Sequence, residues 1–382
     1  MGNEVNMLEK EVLSKKRKRN RIKIKTLKDF SNALEKEGCK INIQNPEVFI
    51  QELSKNLKIN IVLCKEIYKT LQGEDNTYKV DDVENFISYI ENIMLFDEAC
   101  KNLHAKISEI KKLIIHRVEY DREPRVQEDV TELLQIVEKI SKEVSFEISR
   151  EDYLRLESLN EKINKEYLYS KDVELLKKMV IKDNNVTETY NEDSKVKTLI
   201  IDMPNGIDFS YVKSEKGSVE YYDFLCNSLS RIGRLVNNLD KYIVDVGNGG
   251  FEINQSDVLQ DSINVAMAVY RGKEFKAISG KSNIEDYCCT LKEEEAVFES
   301  SKVNKLGKLG IGYKRVNDSE KKILERIHRE IEEHILEDSG ELILYSQWKP
   351  CPSCYYVIHQ FCERYPKIKF QVRYAKEYGE SF

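Results

Sequence analysis

The chain has 382 residues, a formal net charge of −6, a sequence pI near 5.7 and nine cysteines. That length gives room for two or three domains, the sparse and odd-numbered cysteines exclude a disulfide scaffold and read as reduced thiols, and the acidic balance supplies no global footprint for nucleic acid. There is no run of about 18 apolar residues, and the first residues lack the apolar core of a signal peptide, so the expectation is a cytoplasmic protein without a membrane span, with leaderless secretion left open.

In chain order, the basic run KKRKRNRIKIK at 15–25 has eight positive charges, enough to grip phosphates or to form a solvated helix face. Residues 1–182 contain only Gly2, Gly38 and Gly73 of the sixteen glycines and read as a mostly α-helical module for trafficking, sensing or oligomerisation. Leu27, Phe30 and Leu34 recur at helical spacing before Gly38, and Asn45-Pro46 reads as an N-cap followed by a first-turn proline. Longer amphipathic helices are expected over 81–118, 126–145, 150–166 and 170–182, with no internal repeat.

The polar stretch DNNVTETYNEDS (183–194) reads as a linker, opening a connecting segment over 183–254. That segment has a strand at 198–203 stopped by Pro204, a helix at 220–244 and a break at VGNGG (246–250). From 255 to 382 the pattern alternates: strands at 263–270 and 274–279 joined by Arg271-Gly272, a helix at 319–337, a strand at 341–346, a helix at 353–364 and a strand at 367–374. Alternation of this kind predicts an α/β domain of two or three layers. No fifth strand is evident before the last residue.

The run SQWKPCPSCYYVIHQF (346–361) contains the only tryptophan and places Cys351 and Cys354 at a helix start. One turn brings both sulfurs to a common point where the helix dipole favours thiolate, and Pro352 is tolerated in that first turn. A catalytic zinc takes three protein ligands, so a third ligand and an acid/base are needed upstream. Two strings offer them, Asp318-Ser319-Glu320 at a predicted helix start and His328-Arg329-Glu330 in its middle. The second matches H-x-E more literally. It requires the helix to run more than two turns before reaching the metal, however, whereas Asp318 sits where a loop meets a helix and aspartate is an accepted zinc ligand. Asp318 is preferred, and His328 reads as the edge of the packed helix face. Cys288-Cys289 read as a buried pair and Cys362 as core.

The order of strand hairpin, D-S-E at a helix start, strand, W-K-P-C-P-S-C, helix and strand resembles the cytidine-deaminase-like fold, and within it the bacterial polymorphic-toxin deaminases. The resemblance covers about residues 260–382 and implies a mixed sheet with flanking helices. It implies that Asp318, Cys351 and Cys354 hold Zn2+ and that Glu320 carries the proton from the attacking water to the ring nitrogen and the leaving amine, in the hydrolytic deamination of a nucleobase. It further implies Ser279 and Gly280 at the end of the second strand, and Trp348, as substrate-binding positions. The expected substrate is a base, cytosine preferred, in single-stranded nucleic acid or a free nucleotide, and the expected role is that of a toxin or defence effector. An immunity or regulatory protein is an expected partner, and the N-terminal helices leave room for oligomer contacts. Two other readings compete: a structural zinc or redox C-x-x-C, weakened by the absence of a second such motif, and a nucleic-acid-binding or sensor protein carrying a degenerate deaminase-like domain.

Overall fold

The computed structural model describes residues 21–73, 76–119, 130–181, 184–203, 214–260, 263–280, 284–304 and 306–377. Residues 15–20 of the basic run, 126–129 of an expected helix, and Pro204 lie outside the described residues. Contacts divide the chain into two compact units, one from residues 1–111, 175–185 and 202–236, the other from 112–174, 186–201 and 237–382. Among the described residues no helix is long and apolar enough to cross a membrane.

The first unit opens with β1 (Ile22–Ile24), α1 (Leu27–Lys36), α2 (Pro46–Leu57), α3 (Ile61–Gly73), β2 (Tyr78–Val80) and α4 (Val83–Ile107). Its helix starts follow local chemistry: Thr26 and Asp29 close a capping box on α1, and the Asn45 side chain caps α2 ahead of Pro46. Phe30, Phe86 and Tyr78 are buried together, with ring centroids 5.2 Å apart in the first pair and 5.4 Å in the second. The N-terminal region is thus rich in helices, as expected. The helix expected over 81–118 nevertheless ends at Ile107, and Lys112–Val118 is a strand, β3. Leu113 and Ile115 alternate inward there, and the strand pairs in parallel with residues 250–254, a distant partner that outweighs local periodicity.

After β3 come α5 (Val130–Val144), β4 (Ser145–Glu147), α6 (Arg150–Glu166), α7 (Ser170–Ile181), β5 (Asn185–Asn191), β6 (Val196–Asp202), α8 (Val219–Asn238), β7 (Ile243–Gly247) and β8 (Gly250–Asn254). One sheet of the second unit has the order β5-β6-β3-β8-β7. Two expectations change here. The polar stretch read as a linker contains β5, an edge strand exposed along its whole length, so its polarity reflects solvent on both faces. The helix expected over 220–244 stops at Asn238, and β7 follows from Ile243 because it can pair with β8 across the Asn248-Gly249 turn, both residues having positive φ. The compact units accordingly do not coincide with the segments 1–182, 183–254 and 255–382.

The last third contains β9 (Val265–Tyr270), β10 (Lys273–Ile278), the short β11 (Lys302–Val303) and β12 (Tyr313–Lys314), α9 (Ser319–Glu332), β13 (Gly340–Trp348), α10 (Pro352–Arg364) and β14 (Ile368–Lys376). Their mixed sheet runs β10-β9-β13-β14-β4. β9 is antiparallel to β10 and β13, while β14 lies parallel to β13 and β4. Alternation along β9 sends Ala266, Ala268 and Tyr270 to one face and Met267 and Val269 to the other. Ala266, Ala268 and Ala277 are small, which lets Ile323, Leu324 and Ile327 of α9 pack closely on the sheet. α10 and α5 share that face, and Leu156 of α6 joins Met267 and Tyr345 on the other.

The fifth strand, missing from the sequence reading, is supplied from upstream. Ser145, Phe146 and Glu147 pair with Val372, Arg373 and Tyr374. Around this junction the Ser145 and Tyr355 hydroxyls lie 2.7 Å apart, and Arg373 donates to Asp152 at 3.4 Å. The loop between β11 and β12 leans on the same upstream segment: Gly310 has φ of +84°, and a Cβ there would meet Val130 at 2.4 Å, so only glycine fits.

Candidate metal centre and active site

Asp318 is the N-cap of α9, with extended backbone angles of φ −71° and ψ 142°, yet its side chain caps nothing. An N-cap aspartate ordinarily accepts backbone N–H groups of the first turn. Here the carboxylate turns instead to two thiols: Cys351 donates to Oδ2 at 3.3 Å and Cys354 at 3.1 Å, and the sulfurs are 3.2 Å apart. Cys351 is itself the N-cap of α10, its sulfur accepting the Cys354 N–H at 3.4 Å, with Pro352 in the first turn. Two helix starts therefore converge, and all three side chains are buried.

The donor atoms of Asp318, Cys351 and Cys354 lie within 4.8 Å of one another. Tetrahedral zinc with bonds of about 2.0–2.3 Å places its ligand atoms roughly 3.6–3.8 Å apart, so the set fits after an outward relaxation of about half an ångström. Burial, with lesser effects of Cys351 and Asp318, pushes the Cys354 thiol well above its ordinary value, and a bound cation is what makes thiolate the stable form in such a place. Arg315 completes the cluster. Its Nε donates to Asp318 Oδ2 at 3.0 Å and its Nη1 to the Tyr313 hydroxyl at 2.8 Å. Burial works against the guanidinium charge, but Asp318 and Cys351 outweigh it and hold Arg315 above its ordinary range.

Glu320 follows in the first turn of α9 and is 2% exposed. Its Oε1 accepts from Asn264 Nδ2 at 2.9 Å and from the Ser346 hydroxyl at 3.3 Å, and its Oε2 accepts from the Ser319 hydroxyl at 3.0 Å. Burial, and secondarily the charge of Asp318, raises its pKa, while hydrogen bonds from its own backbone, Ser319 and Cys354 oppose the rise. A carboxyl poised in this way suits both acceptance and return of a proton.

Asn264 is the residue that sequence reasoning missed. It precedes β9, reaches Glu320, accepts the Trp348 N–H at 3.1 Å and donates its own N–H to the Ser279 hydroxyl at 2.7 Å. The ends of β10 and β13, with Ser279 and Trp348, are thereby joined to Glu320. Gly280, at φ +105°, donates to the Asn317 carbonyl at 3.0 Å, and Lys322 holds the Gly280 and Ile278 carbonyls at 2.7 and 2.9 Å. Burial pulls the Lys322 ammonium down to about 8. The Lys376 ammonium lies 5.4 Å from the centre of the Trp348 ring. No spacing rule marks Asn264, because the partners of its side chain lie 55–84 residues away; the R-x-x-D spacing of Arg315 and Asp318 is a legible local signal for that pair.

The rejected triplet is engaged elsewhere. His328 Nδ1 is 2.6 Å from the Tyr365 hydroxyl and its ring packs against Phe298, while both Glu330 oxygens accept from Lys273 at 2.7 Å and Arg326 adds a bond at 2.9 Å. Cys288 is half-buried and Cys289 exposed, so they are not a buried pair: in this loop Cys288 packs against the core of the sheet while Cys289 faces solvent. Cys362 packs against the core.

A mixed five-stranded sheet with helices on both faces, carrying a buried Asp/Cys/Cys set at two helix starts beside a buried glutamate, defines a cytidine-deaminase-like α/β domain. Residues 249–376 match the toxin-deaminase family model, described as the BURPS668_1122 family of deaminases. The C-terminal part of the chain is thus a toxin-deaminase domain. No curated protein and no solved structure matches the chain.

Proposed function

We propose that the chain is a zinc-dependent hydrolytic deaminase of a nucleobase, cytosine preferred, in single-stranded nucleic acid or a free nucleotide, acting in a cytoplasm as a bacterial toxin or defence effector. The observation that carries this reading is the buried convergence of Asp318, Cys351 and Cys354 beside Glu320, in a domain matching a deaminase family. Asp318, Cys351 and Cys354 would hold zinc, which supplies the Lewis acidity that makes water a nucleophile at neutral pH. Water adds to the ring carbon bearing the amine, the C–N bond breaks, and nitrogen leaves as ammonia. Glu320 takes a proton from the attacking water and returns it to the ring nitrogen and the departing amine. Asn264 and Ser346 orient that carboxyl, and the wall formed by Ser279, Gly280 and Trp348 would seat the base.

Two measurements test the reading. Purified protein incubated with nucleotides and single-stranded oligonucleotides is expected to release ammonia and convert the target base; a zinc-loaded protein that releases none from any of them would overturn it. Metal analysis should find one zinc per chain, and Cys351→Ser should lose it, because two oxygens and one thiolate hold zinc less tightly than the native set. Full zinc in Cys351→Ser would end the ligand assignment.

A further inference from the structure

Zinc deaminases commonly use a His/Cys/Cys donor set, in which neutral imidazole and two thiolates leave a bound dication electrically balanced. Asp318 in the histidine's place adds one negative charge to a buried cluster, and an uncompensated buried charge is costly. The structure supplies one positive charge at that point. Arg315 Nε meets Asp318 Oδ2, the same oxygen that faces both sulfurs, at 3.0 Å.

The guanidinium is also held in place. Nη1 donates to the Tyr313 hydroxyl at 2.8 Å, the Arg315 N–H donates to the Ser301 carbonyl at 3.2 Å, and its carbonyl accepts from the Ser300 hydroxyl at 3.3 Å. The nearby Lys322 ammonium is engaged by the carbonyls of Ile278 and Gly280. Asp318 does not cap its own helix, and its carboxylate is shared between the guanidinium and the thiols. Resting on the zinc reading above, we infer that Arg315 is a positioning residue and fixed counter-charge that lets aspartate serve as the third ligand, the Arg315–Asp318 pair standing in for one neutral histidine.

The rival is an arginine that merely ties the end of β12 to the start of α9. A double-mutant comparison separates the two, because a tying role does not depend on the side chain of the third ligand, whereas a counter-charge becomes dispensable when that ligand is neutral. Full-length wild type, R315Q, D318H and D318H/R315Q are compared by zinc competition against a chromophoric chelator and by the thiolate-to-metal absorption of the Co2+-loaded proteins. In the wild-type background R315Q should weaken zinc binding about 10–100-fold, the usual loss for a residue that supports a metal ligand. In the D318H background the same change should stay within about threefold, since no extra negative charge is left for the guanidinium to balance. R315K keeps the charge without the fork, and should retain more affinity than R315Q; this comparison stands even if D318H folds poorly. Equal losses in both backgrounds, or R315K equal to R315Q, would overturn the counter-charge and leave the zinc site standing. A wild-type chain that takes up no zinc would remove both.

Discussion

Glu320→Gln is expected to keep the fold and the metal while lowering deamination about 10²–10⁴-fold, the usual cost of losing a positioned general acid/base. The substitution nearly preserves shape: the amide oxygen can accept from Asn264 and Ser346 as Oε1 does, and the amide NH2 in place of Oε2 can donate to the Ser319 hydroxyl, which reverses that one bond. What disappears is the group able to take a proton and give it back. The informative control is His328→Asn with Glu330→Gln, the literal H-x-E string. Those side chains bond Tyr365, Lys273 and Arg326, so the control should melt at a lower temperature yet keep its zinc and its activity per folded molecule. His328→Asn alone serves if the pair unfolds. Normal turnover by Glu320→Gln, with zinc and activity lost in the control, would transfer the chemistry to His328 and Glu330.

A chain beginning at Gly249, where the family match starts, is expected not to fold into a metal-binding domain. It would lack β4, which closes the sheet edge beside β14, and α5 and α6, which cover its two faces. Ile140, Val144, Leu133, Leu156 and Ile163 are all buried in the second unit. At about 1.5–3 kcal/mol per buried aliphatic side chain, these five together contribute roughly 8–15 kcal/mol, comparable to the whole stability of a typical domain, about 5–15 kcal/mol. Leu133 of α5 also packs with Cys351 and Cys354, so the candidate metal site itself loses a wall. Thermal unfolding and zinc content of the 249–382 fragment, beside the full chain, check this. A fragment that melts cooperatively and holds one zinc would show that the upstream elements are dispensable.

The two predictions separate what is encoded locally from what is not. Asp318, Cys351 and Cys354 were legible because each marks a helix start, and D-S-E and P-C-P-S-C express that position through short-range chemistry: a turn residue, a first-turn proline and an i, i+3 spacing. The helix at 150–166 and the hairpin turn at Arg271-Gly272 were legible for the same reason. β3 and β4 were not, since one continues a helix-like pattern and the other is three residues long, and each is stabilised by a partner far away in sequence, β8 and β14 respectively; β5 and β7 pair with the strands that follow them, but β5 is polar along its length and β7 continues a helix-like pattern. Asn264 is an ordinary polar residue until folding brings Glu320, Ser279 and Trp348 around it. Local sequence was thus enough for the candidate donor set, the candidate acid/base and the helix starts that present them. Folding in three dimensions was needed to pair residues 145–147 with β14 in the sheet beside the candidate metal site and to bring Asn264 to Glu320, because strand pairing and buried side-chain hydrogen bonds join residues that no local pattern links.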